Sequence, residues 1–167
     1  MRRTFSDPPA GHIVSPPLLV HATAVAIATA GGPCAVLLRG ASGSGKSDLA
    51  LRLIDAGARL VADDQSELSR QGDAIIVRAP SVIAGLIEIR GIGIFRVDTV
   101  PEAPLALVAD LKAPELIERL PPLATERIFD LDLPRIAVAP FEASAAAKVV
   151  LALRAFAGNG VPAIITG

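Results

Sequence analysis

The sequence predicts an α/β fold carried on a mixed β-sheet, and three observations predict it. Apolar runs of strand length recur from Val20 to Ala139. A Gly/Ser loop joins one of these runs to a segment of helical period. Several neighbouring runs are linked by short turns, as hairpins are, rather than by the long crossovers that a purely parallel sheet requires. At 167 residues with no internal repeat, the chain suits one domain.

Residues 1–17 are Pro-rich and polar and read as a flexible N-terminal arm, leaving 18–167 as the domain. Val20–Thr29 and Cys34–Arg39 read as two buried strands joined by the Gly31-Gly32-Pro33 turn. Gly40–Ser47 is a loop. Lys46–Ala56 reads as a helix, with Leu49, Ala50, Leu53 and Ile54 on one face and Gly57 placed to stop it. Arg59–Ala62 is a short strand ended by Asp63-Asp64, and Gln65–Leu68 with Ala74–Val77 suits a hairpin around Gln71-Gly72-Asp73. In Gly85–Val97, Ile87 and Ile89 face one way and Glu88 and Arg90 the other. Leu105–Leu111 is a further strand and Pro114–Leu120 a short helix opened by proline. Ile128–Ala139 supplies one or two more strands, and Glu142–Ala157 a closing Ala-rich helix.

Composition narrows the function. An apolar share of 51% excludes a disordered chain, and a lone cysteine, Cys34, excludes a disulfide framework. Sixteen basic against seventeen acidic side chains leave no positive surplus for nucleic acid. Leu18–Leu38 invites a membrane or export reading, because Arg2 and Arg3 precede it and Ala28-Thr29-Ala30 resembles a cleavage site. His21 and the Gly31-Gly32-Pro33 break deny it the ~20 uninterrupted apolar residues of a spanning helix. A cytoplasmic domain without membrane contact is expected.

The strongest local signal is Gly40-Ala41-Ser42-Gly43-Ser44-Gly45-Lys46-Ser47, which satisfies the phosphate-loop pattern G-x-x-x-x-G-K-[ST]. With a strand before it and a helix after it, such a loop turns backbone N–H groups and the helix dipole towards phosphates. Lys46 would reach the β- and γ-phosphates and the Ser47 hydroxyl would ligate Mg²⁺. A glycine-rich turn is the bland alternative. Asp63-Asp64 ends a strand, where alternation points the two carboxylates apart unless a turn redirects one. One can then hold metal-bound water while the other meets a substrate hydroxyl as base, or both are a solvated strand end. Taken alone, His21 reads as a satisfied structural histidine. Glu88 and Arg90 suit either a metal-and-phosphate cluster, with Arg90 among the catalytic groups, or an ion pair. Arg119 suits either a phosphate-facing cation or a solvated charge.

Three segments taken together, Gly40–Ser47, Val61-Ala62-Asp63-Asp64 and Glu88-Ile89-Arg90-Gly91-Ile92-Gly93-Ile94, resemble the catalytic domain of the HPr kinase/phosphorylase family. The last segment is the family's characteristic stretch, and the resemblance covers roughly residues 18–155, as in the short form of some proteobacteria. It implies an ATP- and Mg²⁺-dependent protein kinase that phosphorylates a serine of HPr, the phosphocarrier of the sugar phosphotransferase system. It also implies a homo-oligomer, typically a hexamer, and a P-loop kinase domain with a phosphoenolpyruvate-carboxykinase-like fold. By the resemblance, His21 is the active-site histidine and Lys46 the loop lysine. Asp64 takes the serine proton, Ser47 and Glu88 ligate magnesium, and Arg119, after a shortened segment, is a catalytic arginine.

Three departures stand out. Asp48 replaces the family's usual Glu after the loop serine, and the stretch after Val97 lacks a Gly-rich segment. Val138–Ser144 replaces a Pro-Gly-Arg-Asn-like run associated with the reverse, phosphorolytic reaction. Glu142 there would repel inorganic phosphate, unless Arg135 or Lys148 lies nearby. The kinase direction is therefore expected to exceed phosphorolysis. With five Phe and no Trp or Tyr, modest base selectivity is expected. A kinase of small hydroxylated metabolites and a non-catalytic nucleotide-sensing module are the rival functions.

Overall fold

The computed structural model describes residues 15–157, so residues 1–14 of the expected arm lie outside the described residues. The strands are β1 (Leu18–Val20), β2 (Ala22–Thr29), β3 (Gly32–Arg39), β4 (Arg59–Ala62), β5 (Ser66–Gln71) and β6 (Ala74–Arg78). They continue as β7 (Leu86–Ile89), β8 (Gly93–Arg96), β9 (Glu102–Leu111), β10 (Ala124–Ile128) and β11 (Leu131–Val138). The helices are α1 (Lys46–Asp55) and α2 (Ala145–Phe156).

The principal sheet runs β1-β5-β6-β9-β3-β2-β4. β9 is long enough to pair β6 through Glu102–Pro104 and, further along, β11 through Val108–Leu111. Pairing is mixed, as the short turns predict: β2–β3 is an antiparallel hairpin, whereas β9 runs parallel to both β3 and β11. The carboxyl ends of β3, β4, β9 and β11 therefore open into loops at one edge, the edge at which α/β sheets bind ligands.

The sheet curls. β1 leads into β2 through His21 alone, and β4 into β5 through Asp63, Asp64 and Gln65. Yet β1 pairs β5 while β2 pairs β4, so the two corners lie side by side. Ser66 Oγ donates to the Ala22 carbonyl at 3.0 Å across them.

Alternation along the central strands divides two cores. Val25, Ile27, Val36, Leu38 and Leu107 pack against Leu49 and Leu53 of α1 and Val149 and Leu153 of α2. Ala24, Ala26, Ala35, Leu37 and Val108 face into the curl towards Leu68, Ile75, Val77, Ile128 and Leu133. Small alanines on the inner face let the flanks close over it. Leu53 is fully buried, and truncating it to alanine would cost about 2–5 kcal/mol. Helix α1 ends as its sequence predicts. Gly57, at φ +106°, lets its own N–H reach the Ile54 carbonyl and that of Ala58 reach Leu53, both at 2.9 Å.

Three elements differ from expectation. Gly85–Val97 is a two-stranded hairpin, β7–β8, and Arg90 lies in its turn rather than on a strand face with Glu88. Pro114–Leu120 forms only one 3₁₀ turn, Pro114–Leu116, before Ile117 extends. A longer helix there would bury nothing, since Leu116 and Leu120 are exposed. Helix α2 begins at Ala145, leaving Glu142 in the preceding turn.

Candidate active site

Loop 40–45 wraps the amino end of α1. Gly43 and Gly45 hold φ +79° and +97°, conformations that a side chain would strain. A Cβ on Gly40 would stand 2.3 Å from Ser44 Oγ, so the loop is drawn tight upon itself. Gly45 occupies the N-cap position without a side-chain cap, leaving first-turn N–H groups of α1 for a ligand. The Ser44 hydroxyl is buried without a partner, a second group that an anion would satisfy.

Lys46 is 5% exposed. Its ammonium donates to the Gly40 and Ala41 carbonyls at 2.9 and 3.1 Å and stands 4.0 Å from Asp64 Oδ1. The same oxygen lies 2.7 Å from His21 Nε2. His21, Lys46 and Asp64, remote in sequence, therefore converge on one carboxylate oxygen. Their meeting depends on the seam, because His21 is one corner of the sheet and Asp64 the other.

The two aspartates divide as a turn allows. Gln65 N–H donates to the Asp63 carbonyl at 2.7 Å, and Asp64 adopts φ +63°, which aspartate tolerates better than most residues. Asp64 is thereby turned outwards while Asp63 stays buried. Asp63 Oδ1 accepts from the hydroxyls of Ser47 at 2.7 Å and Thr23 at 3.1 Å, and Oδ2 from the Glu88 N–H at 3.0 Å. Thr23 Oγ1 in turn accepts from the Asp64 N–H at 3.0 Å. One carboxylate thus ties α1, β2 and β7 together, and with them Ser47 and Glu88. The adjacent acids alone could signal that one of them turns in; nothing local marks Thr23.

Arg90 reaches the loop from the β7–β8 turn, for a Cβ on Gly43 would stand 3.7 Å from its guanidinium. Arg119 joins none of these groups; it is exposed and, among the described residues, makes no side-chain hydrogen bond or ion pair.

Below the loop lies a charge network that sequence reading missed. Arg39, just before Gly40, meets Asp110 Oδ1 at 2.8 Å and Glu126 Oε1 at 3.0 Å, while Arg135 reaches Asp110 Oδ2 at 2.5 Å. Burial pushes the Asp110 carboxyl up, but hydrogen bonds and charge from Arg39 and Arg135 prevail and hold it below the usual range. The hydrogen bond from Arg39 likewise lowers Glu126. For Arg39 burial acts to lower the pKa, and its carboxylate partners raise it nonetheless.

The 138–144 segment corrects one expectation. Glu142 is paired with Lys148 at 2.5 Å, so it is not an isolated anion facing the loop. Arg52 of α1 holds Asp48 at 2.9 Å and donates to the Pro140 and Glu142 carbonyls. Lys148 and Arg52 are thus both engaged, whereas Lys112, whose backbone N–H donates to the Val138 carbonyl at 2.9 Å, makes no side-chain hydrogen bond or ion pair among the described residues.

The model of the HPr Serine kinase C-terminal domain matches residues 13–150. An HPr kinase/phosphorylase of Geobacillus thermodenitrificans is 36% identical over 137 residues, 75% of this chain and 43% of that protein. One from Exiguobacterium sibiricum is 55% identical over 65 residues, 38% of this chain and 21% of that protein. The chain thus spans less than half the length of these curated relatives. The solved structure of the Hpr(Ser) kinase/phosphatase from Coxiella burnetii superposes with a TM-score of 0.68 at 29% identity, covering 81% of this chain and 88% of that one. Among the described residues, no helix is long and apolar enough to cross a membrane. The extent of the family match and the likeness to a solved relative place this chain in the HPr serine kinase C-terminal domain family.

Proposed function

We propose that this chain is an ATP- and Mg²⁺-dependent protein serine kinase acting on HPr, in the cytoplasm and as a homo-oligomer, the hexamer of the resemblance. The observation that carries the reading is the convergence of His21 and Lys46 on Asp64 beside a loop that would wrap phosphates. Family membership and the names of the relatives supply HPr as acceptor. The phosphate loop and a phosphoenolpyruvate-carboxykinase-like arrangement of the curled sheet belong to the same proposal.

Asp64 accepts the proton of the incoming serine hydroxyl, and His21 orients that carboxylate through their hydrogen bond. Lys46 exchanges its loop carbonyls for the phosphate oxygens and offsets the charge that develops on them. Arg90 closes over the loop from Gly43. Arg119 would act only after the 113–123 segment moves in.

The donor set fits magnesium: the Ser47 hydroxyl and the Glu88 carboxylate are hard oxygen ligands, and Asp63 can hold a metal-bound water from behind. Bound Mg²⁺ supplies charge neutralisation on the phosphates. The forward direction dominates, because the 138–144 segment carries no cation of its own and Lys148 and Arg52 beside it are already engaged.

Incubation with ATP, Mg²⁺ and HPr, followed by mass spectrometry of the acceptor, tests the reading. HPr gaining one phosphate on serine is the expected result. Unmodified HPr with ATP still bound would leave a nucleotide-sensing module, and phosphorylation of small hydroxylated metabolites in its place a metabolite kinase.

A further inference from the structure

A cavity of about 500 Å³ adjoins the loop on the side away from His21 and Asp64, and the mechanism above leaves its interior without an occupant. Its walls come from the carboxyl ends of β9 and β11, through Leu111, Ala113, Pro114, Pro140 and Phe141, and Ser44 of the loop forms part of its rim. The lining is predominantly apolar, with Lys112 and Glu142 as its charged members. Cavities of this size and character suit a flat organic group anchored by a few polar contacts.

Phe141 is the informative residue. The residue is 72% exposed, against 43% for Phe95, the other exposed phenylalanine among the described residues. It lies against the last glycine of the loop, where a Cβ on Gly45 would come within 2.9 Å of Phe141 Cζ. Its backbone is held in place, because Arg52 bonds the carbonyls on either side of it, those of Pro140 and Glu142. The same helix, α1, therefore fixes both the loop and the ring. A nucleotide with its terminal phosphates in loop 40–47 would leave past Ser44 and enter this cavity.

We propose that the cavity seats the nucleobase of the phosphate donor, with Phe141 stacked on one face. This rests on the reading of loop 40–47 as the polyphosphate site. Stacking on an aromatic ring is favourable for any base, and among the described residues that line the cavity Phe141 is the one aromatic.

The test compares the affinities of ATP and inorganic tripolyphosphate, each with Mg²⁺, for the wild-type chain, Phe141→Ala and Phe141→Leu. Phe141→Ala should weaken ATP about tenfold and leave tripolyphosphate unchanged, with Phe141→Leu between the two. Equal weakening of both ligands would mean that Phe141 serves only the loop through Gly45, and no weakening of either would mean that the base lies elsewhere; each overturns the proposal. A wild-type chain that binds neither ligand overturns the phosphate-loop reading itself, and the proposal falls with it. Photolabelling with 8-azido-ATP gives a readout independent of any variant. Label within 111–114 or 139–142 is expected, and label confined to other peptides overturns the assignment.

Discussion

The loop at 40–45 has two unlike neighbours. On one side the sheet seam presents His21, Asp63, Asp64 and Thr23, joined by hydrogen bonds of 2.7 to 3.1 Å. On the other, the ends of β9 and β11 present a largely apolar cavity whose one acid, Glu142, is paired with Lys148. The seam offers carboxylates, a hydroxyl and an imidazole; the cavity offers shape. A phosphoryl-transfer site needs both, one to act at the transferred group and one to hold the remainder of the donor. Damage to the seam should therefore appear in turnover and damage to the cavity in affinity.

The largest effect is expected at Asp64. Asp64→Asn keeps the shape and removes the base, so phospho-HPr formation should fall about 10²- to 10⁴-fold, with ATP affinity, measured by calorimetry, retained. Near-normal turnover would refute the base assignment. Asp63→Ala should act on the fold as well, because it strands the Ser47 and Thr23 hydroxyls and the Glu88 N–H. A loss of about 1–3 kcal/mol in urea denaturation is expected, together with weakened magnesium binding. Unchanged stability would show that these donors find other partners.

The network beneath the loop belongs to neither side and predicts a pH dependence. Asp110 and Glu126 are held below their ordinary range in the folded chain. Their contribution to stability is therefore complete above the unfolded carboxylate values, about 4, and is lost as pH falls through the lower folded values. Thermal melts should show Tm declining on the acid side, and Arg39→Gln should flatten that decline. A variant that retains the full acid limb would place its origin in other carboxylates.

The smallest effect is expected at Glu142. Glu142→Gln releases Lys148 beside the cavity residue it pairs with, and under the proposed function it should raise phosphorolysis of phospho-HPr by inorganic phosphate severalfold relative to the wild-type chain, with little change in the forward rate. Pyrophosphate release measures it. No change would remove the pairing of Lys148 as the restraint on the reverse reaction.

Much of the frame was legible because it is local. The β2–β3 hairpin, α1 and the β5–β6 hairpin follow from apolar runs and from Gly57 and Gly72, and the loop from its own motif. Pro114–Leu120 departs from the helix its sequence suggests because its apolar residues have little to pack against. Arg90 was placed on a strand face because alternation does not announce the Gly91–Gly93 turn that carries it to the loop. Alternation by itself leaves the roles of Asp63 and Asp64 open, because a strand end does not say which way its last residues turn; the resemblance alone singles out Asp64.

By itself the sequence determined most of the strands and helices, that one loop matches the phosphate-loop pattern, and which side chains have chemistry to offer. Those are properties of neighbours along the chain, set by steric freedom at glycine and by the period of apolar residues. Only the tertiary structure decided that His21 meets Asp64, that Asp63 gathers Ser47, Thr23 and Glu88, and that Phe141 leans on Gly45. Each contact joins residues at least 16 apart in the chain, and the meeting of His21 with Asp64 exists because the sheet curls until its two ends share a seam, which alanines on the inner face permit and the packing of the whole domain enforces.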